Sequence, residues 1–417
     1  MFMTRHLQLR AITISCTLAG IAACGGGGGG EAPTIPAVTV LGQASFQANQ
    51  SNQGGAVADN TLDNPIGNVT LSESGTLFVP DTLNGRVLGY RKVPEQNNAP
   101  ADFVIGKLNL FAPTSGTVSK TDFNSPYSVS IAKGKMAVAD RFANRVLIYS
   151  EVPSSNAQPA TFVVGQSSPT AQDSLGCSRV GLSAPRSAVL TPNGKLVLAD
   201  LEHHRVLIWN NVPQADLQPA DAVVGQPDFT SCAANAGAAG PGAETLNEPD
   251  ALWSDGEKLI VADSLNHRVL IWNRMPADSA ERFKPADVVL GQISFSGSAP
   301  NDAGGDGIKD AAPGASTFNT PRAVHSDGVR LAVGDTGNHR VLIWNTIPTS
   351  SGTPPDRVIG QADSGHGAPN DGNRDGAEDP TPTEAVFKAP RGVYLDGQRL
   401  FVSDTMNHRV LIIRLDR

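Results

Sequence analysis

Long hydrophobic runs, aromatic side chains and charge are all scarce in this chain of 417 residues. No run of 18 apolar residues exists, so no segment reads as a membrane-spanning helix. Aromatics make up 5% of the residues, and a core must therefore be built mainly from Val, Ile, Leu and Ala. Charged residues are only 17%, while the 40% apolar content is too high for wholesale disorder. The charge present is acidic, at a formal −8, and without Arg5 and Arg10 near the start 30 basic residues face 40 acidic ones. That field repels phosphate backbones, so no nucleic-acid partner is expected. Turn formers are plentiful, with 43 Gly and 30 Pro, as a turn-rich folded protein requires.

Met1 to Arg10 carries two Arg and a His but no acid, and Ala11 to Ile21 is apolar or small. The apolar piece is long enough for the middle of a signal peptide and too short for a stop-transfer helix. It ends in Ile21-Ala22-Ala23-Cys24, which resembles the bacterial lipobox: an aliphatic residue, two small ones, then the cysteine that is lipidated. The resemblance implies that residues 1–23 are removed, that Cys24 is acylated, and that residues 24–36 form a tether through the unbroken Gly25–Gly30 run. A lipid bilayer is then a partner, held through more than one acyl chain, and the location is the cell envelope. Gly25 follows the cysteine where an Asp would be an inner-membrane signal, similar to lipoproteins sorted to a Gram-negative outer membrane, facing the periplasm or the surface.

Self-comparison organises the rest. One segment recurs as PDTLNGRVLGY (80–90), ADRFANRVLIY (139–149), ADLEHHRVLIW (199–209), ADSLNHRVLIW (262–272), GDTGNHRVLIW (334–344) and SDTMNHRVLII (403–413). A second is VLGQ-like, with its Gly at 42, 106, 165, 225, 291 and 360. A third is a Pro opening an apolar stretch, at 65, 126, 185, 249, 321 and 390. Each unit reads as four short strands rich in Val, Ile and Leu and separated by Gly, Asp and Asn. The third strand is apolar at consecutive positions, as in Val269-Leu270-Ile271-Trp272, and must be covered on both faces.

The Asp-x-x-Asn-His-Arg-Val pattern resembles the NHL repeat of six-bladed β-propellers over residues 37–417, with Gly85 departing where other copies have His or Asn. The resemblance implies an all-β ring of six four-stranded blades, at about 65–107, 126–166, 185–226, 249–292, 321–361, and 390–417 plus 37–43. The chain begins with an orphan fourth strand, Ala37–Gly42, and ends after a third, Arg409–Ile413, so each completes the other and closes the ring.

The links from each Gly to the next Pro run 23, 20, 20, 24, 30 and 30 residues, and they share a face with the Asp-to-Arg hairpins. Long, unequal links are where function concentrates. Symmetry argues against catalysis by the repeated residues: six equivalent Asp–Arg pairs read as hairpin locks, and His204, His267, His339 and His408 as loop holders rather than ligands of one zinc. The longest links carry acidic loops, and Asp371, Asn373 and Asp375 have the alternation of a calcium loop. Pro382 falls where the closing Glu of an EF-hand belongs, so a solvated acidic turn is preferred; no cofactor is expected, with calcium at this loop as the alternative. Cys177 and Cys232 lie in successive links, and in an oxidising envelope they are expected to pair.

One position near the axis breaks the symmetry. The residue after each opening Pro is Ile66, Tyr127, Arg186, Asp250, Arg322 or Arg391. Three Arg at a channel mouth in an acidic protein read either as an anion-binding cluster, with Tyr127 and Asp250 beside it, or as partners of nearby loop carboxylates. Similarity to NHL propellers implies a non-catalytic platform for an envelope protein, a glycan or a small anionic ligand, expected to be a monomer. The alternative is an enzyme, since six-bladed relatives include calcium-dependent lactonases and a peptidyl-hydroxyglycine lyase with metal and acid–base residues at the axis. For that chemistry the inner strands offer only His325 and Asp250 as unrepeated candidates.

Overall fold

The computed structural model describes residues 35–114 and 116–415; the expected signal segment 1–23, Cys24 and the expected tether up to residue 34 lie outside the described residues. Six antiparallel sheets of four strands each follow one another along the chain. Five are simple meanders, such as Pro249–Ser254, Leu259–Asp263, Arg268–Trp272 and Val288–Leu290 in blade 4. The sixth is composite. Ala37–Leu41 pairs antiparallel with Arg409–Arg414, Ala37 opposite Ile413 and Leu41 opposite Val410, and supplies the outer strand that the C-terminal end lacks. The result is a six-bladed β-propeller whose first strands meet around the axis.

The third strands explain the ring. In Arg268–Trp272 every side chain is buried, and the two faces serve different neighbours. Leu270 and Trp272 pack with Val197 and Ile208 of blade 3, whereas Val269 and Ile271 pack with Val324, Leu331 and Val333 of blade 5. An apolar residue fully withdrawn from water contributes about 1.5–3 kcal/mol, and a strand apolar on both faces can collect it only between two other sheets. Trp209, Trp272 and Trp344 are fully buried, and their indole N–H groups donate to the carbonyls of Gln218, Lys284 and Thr353.

Candidate functional site

The side chains at the axis are positioned from the hairpins outward. Each repeat Asp and Arg form a fully buried ion pair at 2.7–2.9 Å, from Asp81–Arg86 to Asp404–Arg409. The second carboxylate oxygen accepts a backbone N–H from the end of the incoming link, as from Asn247 to Asp263 at 2.6 Å and Asn319 to Asp335 at 2.8 Å. The guanidinium also donates to link carbonyls; Arg268 reaches Gly242, Thr245 and Phe295. The pair therefore fastens two links to one hairpin.

The repeat His fastens the next blade. His204, His267, His339 and His408 accept through Nδ1 the N–H of Glu248, Thr320, Ala389 and Asn64, at 2.9–3.1 Å. Those four donors stand just before a blade-opening Pro, with φ between 46° and 52°, a left-handed conformation that needs such support. Accepting at Nδ1 requires a neutral ring, and burial holds His267 and His339 down at about 4. Blade 2 uses Asn144, whose Oδ1 accepts from Ala184 at 2.8 Å. Gly85 in blade 1 has no such group; a Cβ there would stand 3.0 Å from the Phe123 carbonyl, and Lys107 binds that carbonyl instead.

Directly after the Pro, five inner strands carry a register shift, between Pro126/Ser128, Pro185/Ser187, Pro249/Ala251, Pro321/Ala323 and Pro390/Gly392. The extra residues are Tyr127, Arg186, Asp250, Arg322 and Arg391. A β-bulge re-aims the side chain it carries, and here it turns the symmetry-breaking position towards the axis. Blade 1, with Ile66, has no bulge because its inner strand is only Thr70–Leu71.

The five meet at the channel mouth. Asp250 takes Arg322 at 2.8 Å and Arg186 at 3.1 Å, so the carboxylate that holds two of the Arg comes from this same set of bulge residues. The Arg186 guanidinium also stacks 4.6 Å from the Tyr127 ring centre. Arg391 has no side-chain hydrogen bond or ion pair among the described residues, and its Nε is buried without a partner. Burial lowers its pKa first, and the like charges of Arg322 and Arg186 lower it further. Arg141 was not singled out from the sequence. It stands where the other repeats have Thr, Ser or Leu, and lies 5.2 Å from the same Tyr127 ring, donating to its hydroxyl at 3.3 Å. Comparing a second repeat column, the residue after each Asp, would have exposed it.

Below the cluster a cavity of about 360 Å³ runs between the inner strands, lined by Val129, Val189, Trp253, His325 and Tyr394 among others. His325 is neutral there, its pKa pulled down to about 3 by burial, and Nδ1 accepts the Leu395 N–H at 3.1 Å. Its ring lies 4.2 Å from that of Tyr394. The two unrepeated candidates for acid–base work are thus both engaged, Asp250 by two Arg and His325 by the neighbouring strand.

The remaining sequence-selected residues sit away from this mouth. Asp371 is buried and accepts the N–H groups of Asp375 and Gly376, each at 3.0 Å, while Asn373 and Asp375 are exposed and bonded within the same loop. Cys177 and Cys232 are joined in a disulfide with Cα atoms 6.2 Å apart. Cys24 lies outside the described residues.

No family model matches the sequence. The chain is similar to NHL repeat-containing protein 2 of Gallus gallus, at 34% identity over 93 residues, 22% of this chain and 11% of that protein. The Homo sapiens counterpart is 33% identical over 88 residues, 21% of this chain and 10% of that protein. The chain thus spans about a tenth of the length of these curated relatives. Among solved structures, an auxiliary nutrient binding protein from Bacteroides ovatus superposes with a TM-score of 0.51 at 12% identity, covering 92% of this chain and 78% of that one. The chain is a six-bladed β-propeller built from NHL-like repeats.

Proposed function

We propose that this protein is a non-catalytic binding module whose channel mouth takes a small anionic group, free or carried on a glycan or protein. The observation that supports it is Arg391, a partly buried guanidinium with no carboxylate of its own, next to two Arg that share one Asp. Three cations against one anion leave net positive charge in an acidic protein. Planar, paired donors that stay charged when dehydrated suit carboxylate and phosphate groups. A cavity of about 360 Å³ is in the range of small-molecule sites, with Trp253 and Tyr394 offering apolar faces to the rest of a ligand. A protein of the same fold is described as an auxiliary nutrient binding protein, in keeping with a binding role. The enzyme alternative asks for a free acid–base pair at the axis, and Asp250 and His325 are committed elsewhere.

The test is calorimetric titration with glucuronate, citrate and inorganic phosphate. Wild type should bind at least one of them, and Arg391→Gln should weaken it by about 1.5–3 kcal/mol, the range of a charged hydrogen bond. Its melting temperature should not change, because no partner is orphaned. Arg186 and Arg322 are poorer targets, since removing either strips Asp250 of a counter-charge. No binding of any of the three by wild type, or equal affinity in the variant, contradicts the proposal.

We further propose that the ring is held as a monomer on an envelope bilayer through acylated Cys24. The Ile21-Ala22-Ala23-Cys24 segment and the Gly run after it support this. Cys24→Ser should abolish incorporation of labelled fatty acid, and label retained by that variant refutes the anchor.

A further inference from the structure

Blade 3 breaks the repeat at a second place. Three residues after the repeat Asp, blades 1, 4, 5 and 6 have Asn84, Asn266, Asn338 and Asn407. Each donates to its Asp and exchanges amide hydrogen bonds with an Asn of the incoming link, namely Asn52, Asn235, Asn301 and Asn370. Blade 3 has His203 instead, and its incoming link brings Cys177 to this place while the outgoing link brings Cys232. The two sulfurs and a ring nitrogen of His203 lie within 4.8 Å of one another. No other set of three or more His, Cys, Asp or Glu ligand atoms is so close among the described residues.

The surroundings are those of a prepared ligand set. His203 is buried and its Nδ1 lies 2.8 Å from Asp200 Oδ2, while Arg205 fixes Asp200 at 2.9 Å. With Nδ1–H given to a carboxylate, Nε2 keeps its lone pair and the ring keeps one orientation, the arrangement that metal-ligating histidines use. A tetrahedral zinc with two thiolates and one imidazole needs ligand–ligand edges of roughly 3.5–3.8 Å from its ordinary bond lengths. The three atoms, all within 4.8 Å of one another, can reach those edges by small side-chain movements once the sulfur–sulfur bond is broken.

We propose that Cys177, Cys232 and His203 form a redox-gated site for a borderline-soft divalent cation of the zinc class, closed by the disulfide and opened by reduction. A dithiol supplies two electrons and two protons, the S–S bond breaks to two thiols, and the dithiol leaves as its own disulfide. Cation binding then releases the two thiol protons and leaves a fourth position open to water or another ligand. Both cysteines are half-buried and reachable by a small dithiol.

Cobalt(II) reports such a site, because thiolate ligation gives a near-ultraviolet charge-transfer band. In a full chain with Cys16→Ser and Cys24→Ser, so that the pair supplies the only thiols, reduced protein should take up one Co²⁺ with that band and lose it to Zn²⁺. The oxidised protein should show none. His203→Asn, which installs the residue of blades 1, 4, 5 and 6, should still form the disulfide but weaken Co²⁺ binding at least ~10-fold when reduced. A reduced protein without the band overturns the proposal, as does unchanged affinity in the variant. The comparison of reduced with oxidised protein stands even if the variant folds poorly.

Discussion

His267 and His339 illustrate how single side chains carry the blade-to-blade connection. Each ring is neutral and accepts a backbone N–H, and burial has lowered both from the ordinary 6.5 to about 4. His204 is lowered in the same way. Between pH 6.5 and 4 the unfolded chain therefore binds protons that the folded ring refuses, and stability falls as pH falls through that window. The urea midpoint should drop on going from pH 7 to pH 5, with a loss of about 2 kcal/mol or more. His267→Asn with His339→Asn should lessen the dependence, leaving the share of His204 and His325, since Asn144 already performs this task in blade 2. An unchanged midpoint from pH 7 to pH 5 contradicts the neutral-acceptor role. The loop-holding task of these His was legible because it recurs; their neutrality was not, because it depends on burial under a link from the next blade. Arg186, Arg322 and Arg391 were legible as a break in one repeat column. Their unequal roles were not, since Asp250 pairs across 64 and 72 residues of sequence and no local pattern marks such a contact.

At the scale of elements, counting alone exposed the closing strand. Every type of strand occurs six times only if Ala37–Leu41 is granted to the last blade. Ala37, Val40 and Leu41 are buried there beside Ile413, Leu411 and Val410. Deleting residues 37–43 should cost about 5 kcal/mol from lost burial, beyond the unpaired edge left on Arg409–Arg414. Scanning calorimetry checks this, and a melting temperature equal to that of the intact chain contradicts closure by this strand. The inner strands resisted reading. Ser128, Ser130 and His325 accept N–H groups of Ala188, Leu190 and Leu395 in the following blade, but the corresponding positions of blade 4 are Ala251 and Trp253, so no column of the repeat reveals these acceptors. The bulges were equally hidden. A Pro followed by a variable residue announces a strand start, not the two-against-one register that turns the variable residue inward.

The whole molecule is a nearly symmetric scaffold carrying a few asymmetric insertions of chemistry. Six buried ion pairs, each with an anion and a cation in contact, fasten links without leaving charge over. The axial cluster does leave charge over, because three Arg meet one Asp. A field focused in a cleft of that sign draws small anions even when the protein as a whole is acidic. Under the proposed function, specificity comes from positions where one blade departs from its sisters, and the rest of the repeat holds those positions in place. The most direct test is anomalous diffraction from crystals soaked in bromide. The account predicts a bromide at the axis within hydrogen-bond reach of the Arg391 guanidinium, absent in Arg391→Gln crystals of the same form. Bromide found only on the outer surface, with the Arg391 side chain bound instead to a carboxylate of its own chain, would contradict it.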